Sequence, residues 1–379
     1  MTETAIYVHI PFCDHKCIYC DFYSIIKTDN KEKYLVALID EIKHYAKPYA
    51  QDRTITSIFF GGGTPSYMEP EYINSIISTI SKYFNLNKNA EITLETNPGT
   101  VGKEKLKEFL SIGINRFSVG IQSFDDTELK FLTRIHNSSE AIKTVEEIYY
   151  AGCENISIDL IFNLPNQTKK TWLKNLTTAV SLPVKHISAY SLILEKGTIL
   201  NKMVLDKKVE IQGEDFDADL YEETIDFLTE VGFYQYEVSN FAKSGFECKH
   251  NKVYWTHNEY LGFGTSAHSF IGNKRWWNYS SLSMYNDSIV KSGNAIRNSE
   301  KLSDEELFEE FLMLGLRGSG LDLNVVRNTY SNNFFDKNIS YIRELIKDGY
   351  LKDNNSILQM TKKGYLICDE IVANLITNI

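Results

Sequence analysis

The stretch that decides how this chain is read is "HIPFCDHKCIYCDFYS", residues 9–24. Three cysteines, Cys13, Cys17 and Cys20, stand at C-x3-C-x2-C spacing, and two positions beyond the last is Phe22, not a fourth cysteine. The segment before it, "AIYVHI" (Ala5 to Ile10), has the β-branched and aromatic content of a strand. The thiols therefore belong to a loop that follows a strand.

The rest of the composition narrows what such a loop can do. The chain has 379 residues, 43% of them hydrophobic, enough for one large domain and a smaller one. A net charge of -10 argues against broad electrostatic attraction to DNA or an anionic membrane. Six cysteines are too few for a disulfide scaffold, and the clustering of three points to a metal site in a reducing compartment. The opening "MTETAIYVHI" lacks a basic segment followed by an apolar run, so no signal peptide is expected. No run of about 18 apolar residues predicts a transmembrane helix. A soluble cytoplasmic protein with at most peripheral membrane contact is expected.

Working outward, strand-like and helix-like segments alternate. A helix is predicted over Lys31–Ala46, where Tyr34, Leu35, Leu38, Ile39 and Ile42 recur at helical spacing. "SIFFGGGTP" reads as a strand running into a glycine loop, with a helix over Glu71–Phe84. "EITLETNPG" and a helix over Lys103–Ser111 follow, then "RFSVGIQSF" with helices over Asp126–Leu132 and Ser139–Ala151. "NISIDLIFNLP" precedes a helix over Lys169–Ser181. "HISAYSLIL" is followed, after a polar insertion, by a helix over Asp215–Val231. Six such units imply parallel strands joined by right-handed crossovers, an α/β fold of partial (β/α)6 barrel type. In such folds the site lies at the carboxyl ends of the strands. Cys13, Gly63, Glu95, Gln122 and Asp159 all fall near those ends.

Near Tyr236 the pattern changes. Residues 250–281 are aromatic and glycine-rich without a clear helical period. From Ser303 a second unit begins, with helices predicted over Asp304–Leu316, Leu323–Tyr330 and Ile339–Asp348, a hairpin in "GYLKDNNSILQMT" and a last helix near Lys362. Three helices and a hairpin suggest a small winged-helix-like α+β domain. The expected division is 1–235, 236–300 and 301–379. From Glu300 onward nine Lys/Arg stand against thirteen Asp/Glu, which argues against phosphate binding and hence against nucleic acid as a partner. Phe308, Phe311, Leu312 and Leu345 are the expected core of that unit.

Two metal sites suit three clustered thiols. A structural zinc takes four ligands, and His9 and His15 flank the cluster. A [4Fe–4S] cubane held by three thiolates keeps one iron without a protein ligand. That iron is useful only if something exchangeable chelates it, as the amine and carboxylate of S-adenosylmethionine (SAM) can. An electron passed from the cluster to the sulfonium then breaks a carbon–sulfur bond, a chemistry that belongs to the cofactors.

The C-x3-C-x2-C loop after a first strand, with "GGGTP" (Gly61 to Pro65) after the second, resembles the radical-SAM superfamily. Within it the chain resembles, over nearly its whole length, the family that holds oxygen-independent coproporphyrinogen III dehydrogenase and the heme chaperones. The resemblance implies that Cys13, Cys17 and Cys20 bind one [4Fe–4S] cluster. It implies SAM contacts from Tyr7, Tyr19, Gly63, Thr64, Pro65, Glu95, Gln122, Arg134 and Asp159. Each of these also has a structural reading. Tyr7 and Tyr19 could be core aromatics, Glu95 could cap a turn before "NP", Gln122 could satisfy backbone groups in a loop, and Arg134 could sit in a surface ion pair. Asp159 alternates within an apolar strand, where a charge needs a partner, and so favours a site.

Two departures separate the relatives. The dehydrogenase has a fourth cysteine two residues after the third and a longer amino-terminal extension; here Cys20 is followed by Asp21 and Phe22. The heme chaperones share an H-N-x-x-Y-W motif, which "HNKVYW" (His250 to Trp255) matches. The resemblance thus implies heme as cargo, His250 as its axial ligand, a hemoprotein acceptor (a respiratory one among the candidates) and an electron donor such as flavodoxin or ferredoxin. A neutral imidazole ligates heme iron well, and aromatic rings pack on porphyrin faces. His257, His268 and Cys248 are alternative ligands, and Trp276 and Trp277 are read as core.

Overall fold

A computed structural model of the chain describes residues 1–26, 29–330 and 333–377, without the side chain of Asn333. Residues 378 and 379, the end of the expected carboxy-terminal unit, lie outside the described residues.

The six expected strands are Thr2–Ile10 (β1), Arg53–Gly62 (β2), Asn85–Thr96 (β3), Arg116–Gln122 (β4), Ile156–Phe162 (β5) and His186–Ser191 (β6). They pair in sequence order and all parallel. Helices return the chain between them at Lys31–Tyr49 (α1), Pro70–Tyr83 (α2), Lys103–Ser111 (α3), Asp126–Phe131 (α4), Ser138–Tyr150 (α5) and Lys169–Ser181 (α6). Asn137 and Thr168 start α5 and α6 through capping boxes. Helix α1 runs three residues past the expected end and carries Pro48 in its last turn.

Each strand sends apolar side chains outward and polar ones inward. Ile58 and Phe60, Phe117, Val119 and Ile121, and Ile156, Ile158 and Leu160 are buried against the helices in one continuous core. The alternate positions, among them Glu95, Ser118, Asp159 and Ser188, line a cavity inside the curved sheet.

The sheet does not close. After Ile199–Leu205 (α7) and Glu214–Glu230 (α8), the short strands Tyr234–Gln235 (β7) and Asn240–Ala242 (β8) add antiparallel to β6. A helix, Lys249–Trp255 (α9), precedes Tyr260–Phe263 (β9), which adds parallel to β1. His268–Ile271 (β10) and Lys274–Asn278 (β11) continue outward, then Leu282–Ser292 (α10) and Ile296–Lys301 (β12). Among the described residues this makes a twelve-stranded sheet around seven neighbouring parallel strands, β9 and β1 to β6. Residues 236–300 feed Phe241, Leu261, Phe263, Trp276 and Tyr285 into the same core. Trp276 stacks with both Tyr45 and Tyr49, which also stack on each other, and Trp277 stacks on His268.

Three helices lie where the sequence reading placed none. Helix α9 has only two turns, too few to display a period, and is held from outside. The buried Glu91 carboxylate accepts from the Lys249 and His250 N–H groups at its first turn. Helix α7 is a two-turn helix in the polar insertion. Helix α10 buries Leu282, Tyr285, Asn286 and Ile289, a helical spacing that was legible.

The carboxy-terminal unit has its own core, built on Phe308, Leu312, Leu316, Leu345 and Leu358 among others. It comprises Asp304–Arg317 (α11), residues 333–347, a hairpin of 351–354 and 357–360, and a final helix over 368–377. The expected helix Leu323–Tyr330 is three α-helical residues followed by a π-helical turn. Among the described residues no helix is long and apolar enough to cross a membrane.

One buried carboxylate ties the amino-terminal helix to the added strands. Glu41 on α1 accepts from the Tyr285 hydroxyl at 2.6 Å, the Asn278 amide at 2.7 Å and the Gly264 N–H at 2.8 Å. Burial pushes its carboxyl up to about 7 against the pull of those donors. Glu41→Ala leaves three buried donors unpaired and is expected to cost about 2–5 kcal/mol in a denaturant titration. Because the folded value is raised, the contribution is full below the usual carboxylate range and is lost as pH rises through about 7. The gap between wild type and variant is therefore expected to narrow between about pH 4.5 and 7.5.

Candidate functional site

The cysteine loop leaves the end of β1 and returns beside it. Cys13 N–H donates to the Ile25 carbonyl, and Ile25 N–H donates to that of Pro11. The glycine loop after β2 is zipped onto the same segment, with Gly63 N–H donating to Ile10 and Thr64 N–H to Phe12. A Cβ on Gly63 would stand 2.6 Å from the Phe12 carbonyl oxygen. Gly63 is thus required first by protein backbone, although it also lines the cavity.

A polar chain then links two of the thiols. The Cys13 sulfur lies 3.2 Å from the Thr64 hydroxyl, which accepts from the Asn97 amide at 2.8 Å. Arg134 donates to Asn97 Oδ1 at 2.6 Å, to the Gly120 carbonyl at 2.5 Å and to the Cys17 sulfur at 3.5 Å. With its oxygen already accepting from Asn97, the Thr64 hydroxyl has its proton free for Cys13. Tyr19 lies against Arg134. The Cys20 thiol is pushed up by burial. All six cysteines are free.

The strand ends close the ring. Glu95 accepts from the Gly62 N–H at 3.2 Å. Burial, then the neighbouring Asp159, push its carboxyl up to about 8, while the Gly62 N–H and Arg116 pull the other way. Asp159 is also raised by burial, against hydrogen bonds from Ser188 and Ser118. Gln122 sits at a bulge between β4 and β5 with φ of 72°, a left-handed conformation that costs a non-glycine residue and is common beside functional sites. Gly120 leaves room for this arrangement, since a Cβ there would lie 2.8 Å from Asn97 Oδ1.

These residues line one cavity of about 600 Å³. It holds Tyr7, Cys13, Cys17, Tyr19, Cys20, Gly63, Thr64, Glu95, Gln122, Arg134, Asp159 and His250. Pro65 is the exception. It is buried behind the lining at the start of a tight turn, Pro65–Tyr67.

The cavity is deep. Along β4 it runs from Gln122 down to Arg116, about 20 Å at the usual strand rise. His250 lies at the lower end on α9. Its Nδ1 is 3.0 Å from the Ser57 hydroxyl and its Nε2 is 2.9 Å from that of Tyr254. The ring packs on Phe59 with centroids 5.0 Å apart. Burial, then Arg116, lower the imidazole to about 3, so it is neutral at any physiological pH. His257 and His268 lie outside the cavity, as does the buried Cys248.

The zinc alternative finds no fourth ligand here. His9 uses both ring nitrogens, at 3.1 Å from the Tyr7 hydroxyl and 2.9 Å from the Tyr23 carbonyl. His15 contacts the Thr133 hydroxyl at 3.3 Å. Among the described residues no three His, Cys, Asp or Glu side chains are arranged to enclose a single ion. Three thiols lining one cavity with no fourth ligand beside them suit a cluster that keeps one iron open.

Residues 7–179 match the Radical SAM superfamily and residues 302–367 match the HemN C-terminal domain. The "Heme chaperone HemW" of Bacillus subtilis is 35% identical over 96% of this chain and 97% of its own. That of Lactococcus lactis is 34% identical over 95% and 93%. The chain belongs to the HemW family of radical-SAM proteins. The "Radical S-adenosyl methionine domain-containing protein 1, mitochondrial" of Danio rerio is 37% identical over 83% of this chain and 73% of its own. A solved structure of coproporphyrinogen III oxidase (HemN) from Escherichia coli shares the fold, with a TM-score of 0.84, 24% identity and coverage of 100% and 91%. Membership in the radical-SAM superfamily implies a [4Fe–4S] cluster and SAM.

Several lining residues escaped the sequence reading: Asn97, Arg116, Ser118, His186, Ser188 and Tyr190. The period-2 alternation of their strands would have found all but Asn97, which lies just beyond the end of β3.

Gly63→Ala is expected to force the two loops apart and lower stability by about 1–3 kcal/mol in chemical denaturation. Gly213→Ala, where a Cβ meets nothing within 4 Å and only the N-cap preference of α8 is lost, is expected to cost less, under about 1 kcal/mol.

Proposed function

We propose that this protein is a heme chaperone of the reducing cytoplasm, which binds heme and passes it to an acceptor hemoprotein. The observation that carries the reading is the intact "HNKVYW" motif, with His250 at the cavity floor, in a chain 34–35% identical over almost its whole length to proteins named heme chaperones.

Cys13, Cys17 and Cys20 would hold the cluster, and Tyr7, Tyr19, Gly63, Thr64, Glu95, Gln122, Arg134 and Asp159 would surround SAM. When bound, the cluster and SAM supply a reductant next to a cleavable sulfonium. The chain's own residues prepare for that. Arg134 places positive charge and an N–H at the Cys17 sulfur, and Thr64 offers a hydroxyl to Cys13, both of which favour the more negative state of a cluster. Pro65 acts from behind, by setting the turn that follows Thr64.

His250 Nε2 would meet heme iron once Tyr254 gives up its hydrogen bond. Nδ1 would then carry the proton and donate to Ser57, which fixes the tautomer that ligation needs. Because the imidazole is neutral throughout the physiological range, protonation does not compete with the metal. In this reading residues 1–235 carry cluster and cofactor, 236–300 carry the heme motif, and 301–379 brace it. Trp255 of the motif packs at Gly318, where a Cβ would lie 2.7 Å from it. The acceptor is a hemoprotein, and a small flavodoxin- or ferredoxin-type protein supplies the electron.

The dehydrogenase reading has less support. Phe22 replaces the fourth cysteine and stands exposed at the cavity rim.

After anaerobic reconstitution, wild type is expected to bind heme and His250→Ala at least about tenfold more weakly, read from the heme absorbance titration. Tyr254→Phe, which frees Nε2, is expected to keep or improve affinity. Formation of protoporphyrinogen IX with SAM would overturn the chaperone reading, and unchanged affinity in His250→Ala would overturn the ligand. Cys13→Ser, Cys17→Ser and Cys20→Ser are each expected to lose most cluster iron by metal analysis.

A further inference from the structure

Arg116 is the one cavity-floor charge that the proposed function leaves without a task. It begins β4 and is 2% exposed, yet its side chain lines the cavity. Its Nε and Nη1 are buried with no hydrogen-bond partner. A guanidinium carries five donors and stays charged, so orphaned donors in a buried position are costly unless a ligand meets them. The acids around it do not meet them. Glu91 is committed to the first turn of α9, and Asp159 receives Ser118. Both act on Arg116 only through space.

The register shows what Arg116 faces. Tyr7, Phe59, Thr93 and Arg116 are paired partners across β1, β2, β3 and β4, and so form one inward row. His250 packs on Phe59 and Tyr7 of that row. A free guanidinium, a neutral imidazole and two aromatic rings therefore converge at one end of the cavity. That set fits a flat, apolar, metal-bearing ligand with an anionic edge.

We propose that Arg116 is a carboxylate-binding residue of the cavity floor and that it takes a propionate of the porphyrin cargo. The inference rests on the heme reading above and adds to it the group that orients the cargo. Arg–carboxylate pairing is charge-assisted and often bidentate, so it discriminates strongly against a neutral ester of the same shape. The other carboxylate within reach of this chemistry is that of SAM, and the experiment separates the two.

Reconstituted wild type, Arg116→Gln and Arg116→Lys are titrated with iron protoporphyrin IX and with its dimethyl ester, and separately with SAM. Wild type is expected to prefer the free acid by about 10- to 100-fold. Arg116→Gln is expected to bind acid and ester alike, at the wild-type ester affinity and with SAM affinity unchanged. Arg116→Lys, which keeps the charge, is expected to retain part of the preference. A wild type that binds both porphyrins equally overturns the inference even if Arg116→Gln fails to fold. A folded Arg116→Gln that keeps the preference overturns it too, while the heme reading stands. Loss of SAM affinity in that variant with the porphyrin preference intact assigns the guanidinium to SAM and also overturns it. A wild type that binds neither porphyrin overturns the heme reading itself.

Discussion

Everything at this site depends on a charged interior held inside an apolar jacket. Glu91, Glu95, Asp159, Arg116 and Arg134 all point into one curved sheet whose opposite face is isoleucine, valine and phenylalanine. Unpaired charges in such a place cost several kcal/mol each, so the interior must pair them, neutralise them or hold them for a ligand. The chain uses all three. Glu91 is spent on the start of α9, Glu95 is pushed toward its neutral form, and Arg116 keeps open donors. Arg134 is pinned between a carbonyl, an amide and a sulfur, although its Nε is buried without a partner. An open parallel barrel tolerates this because its interior is a cavity lined by side chains rather than a packed core.

The same alternation explains what was legible. In "RFSVGIQ" the apolar Phe117, Val119 and Ile121 face the helices, while Arg116, Ser118, Gly120 and Gln122 face the cavity. "HISAYS" repeats the pattern with His186, Ser188 and Tyr190. Six strands in order, the parallel sheet and the position of the cysteine loop follow from periodicity and punctuation alone. The family resemblance then marked residues at the strand ends, where ligands usually sit. In the lower half of the cavity it marked His250 but neither Arg116 nor His186. Arg116 and His186 begin their strands, and the rule that sites lie at carboxyl ends draws attention away from them.

The position of His250 was not legible for a different reason. It is set by Ser57 and Glu91, which are 193 and 159 residues away in the chain. No local pattern encodes such a tie, and α9 is too short to announce itself. The glycine loop illustrates a subtler gap. The resemblance assigned Gly63 to SAM, whereas Gly61 abuts Tyr7 and Phe59 and Gly63 abuts the cysteine segment. The requirement for glycine is met by the protein's own packing before any ligand arrives.

The two ends of the cavity are not independent. Tyr7 links them, with its hydroxyl on His9 and its ring beside Phe59 and His250. His9 in turn holds the carbonyl of Tyr23, at the far side of the cysteine loop, and its own carbonyl accepts from Tyr34. A Cβ on Gly62 would collide with the His9 ring at 2.6 Å, so that ring has little freedom to tilt. Contacts thus run without a break from the cysteine loop through His9 and Tyr7 to the aromatic row on which His250 rests. In this barrel the cysteine loop and the residues of the cavity floor are parts of one wall of hydrogen bonds and stacked rings.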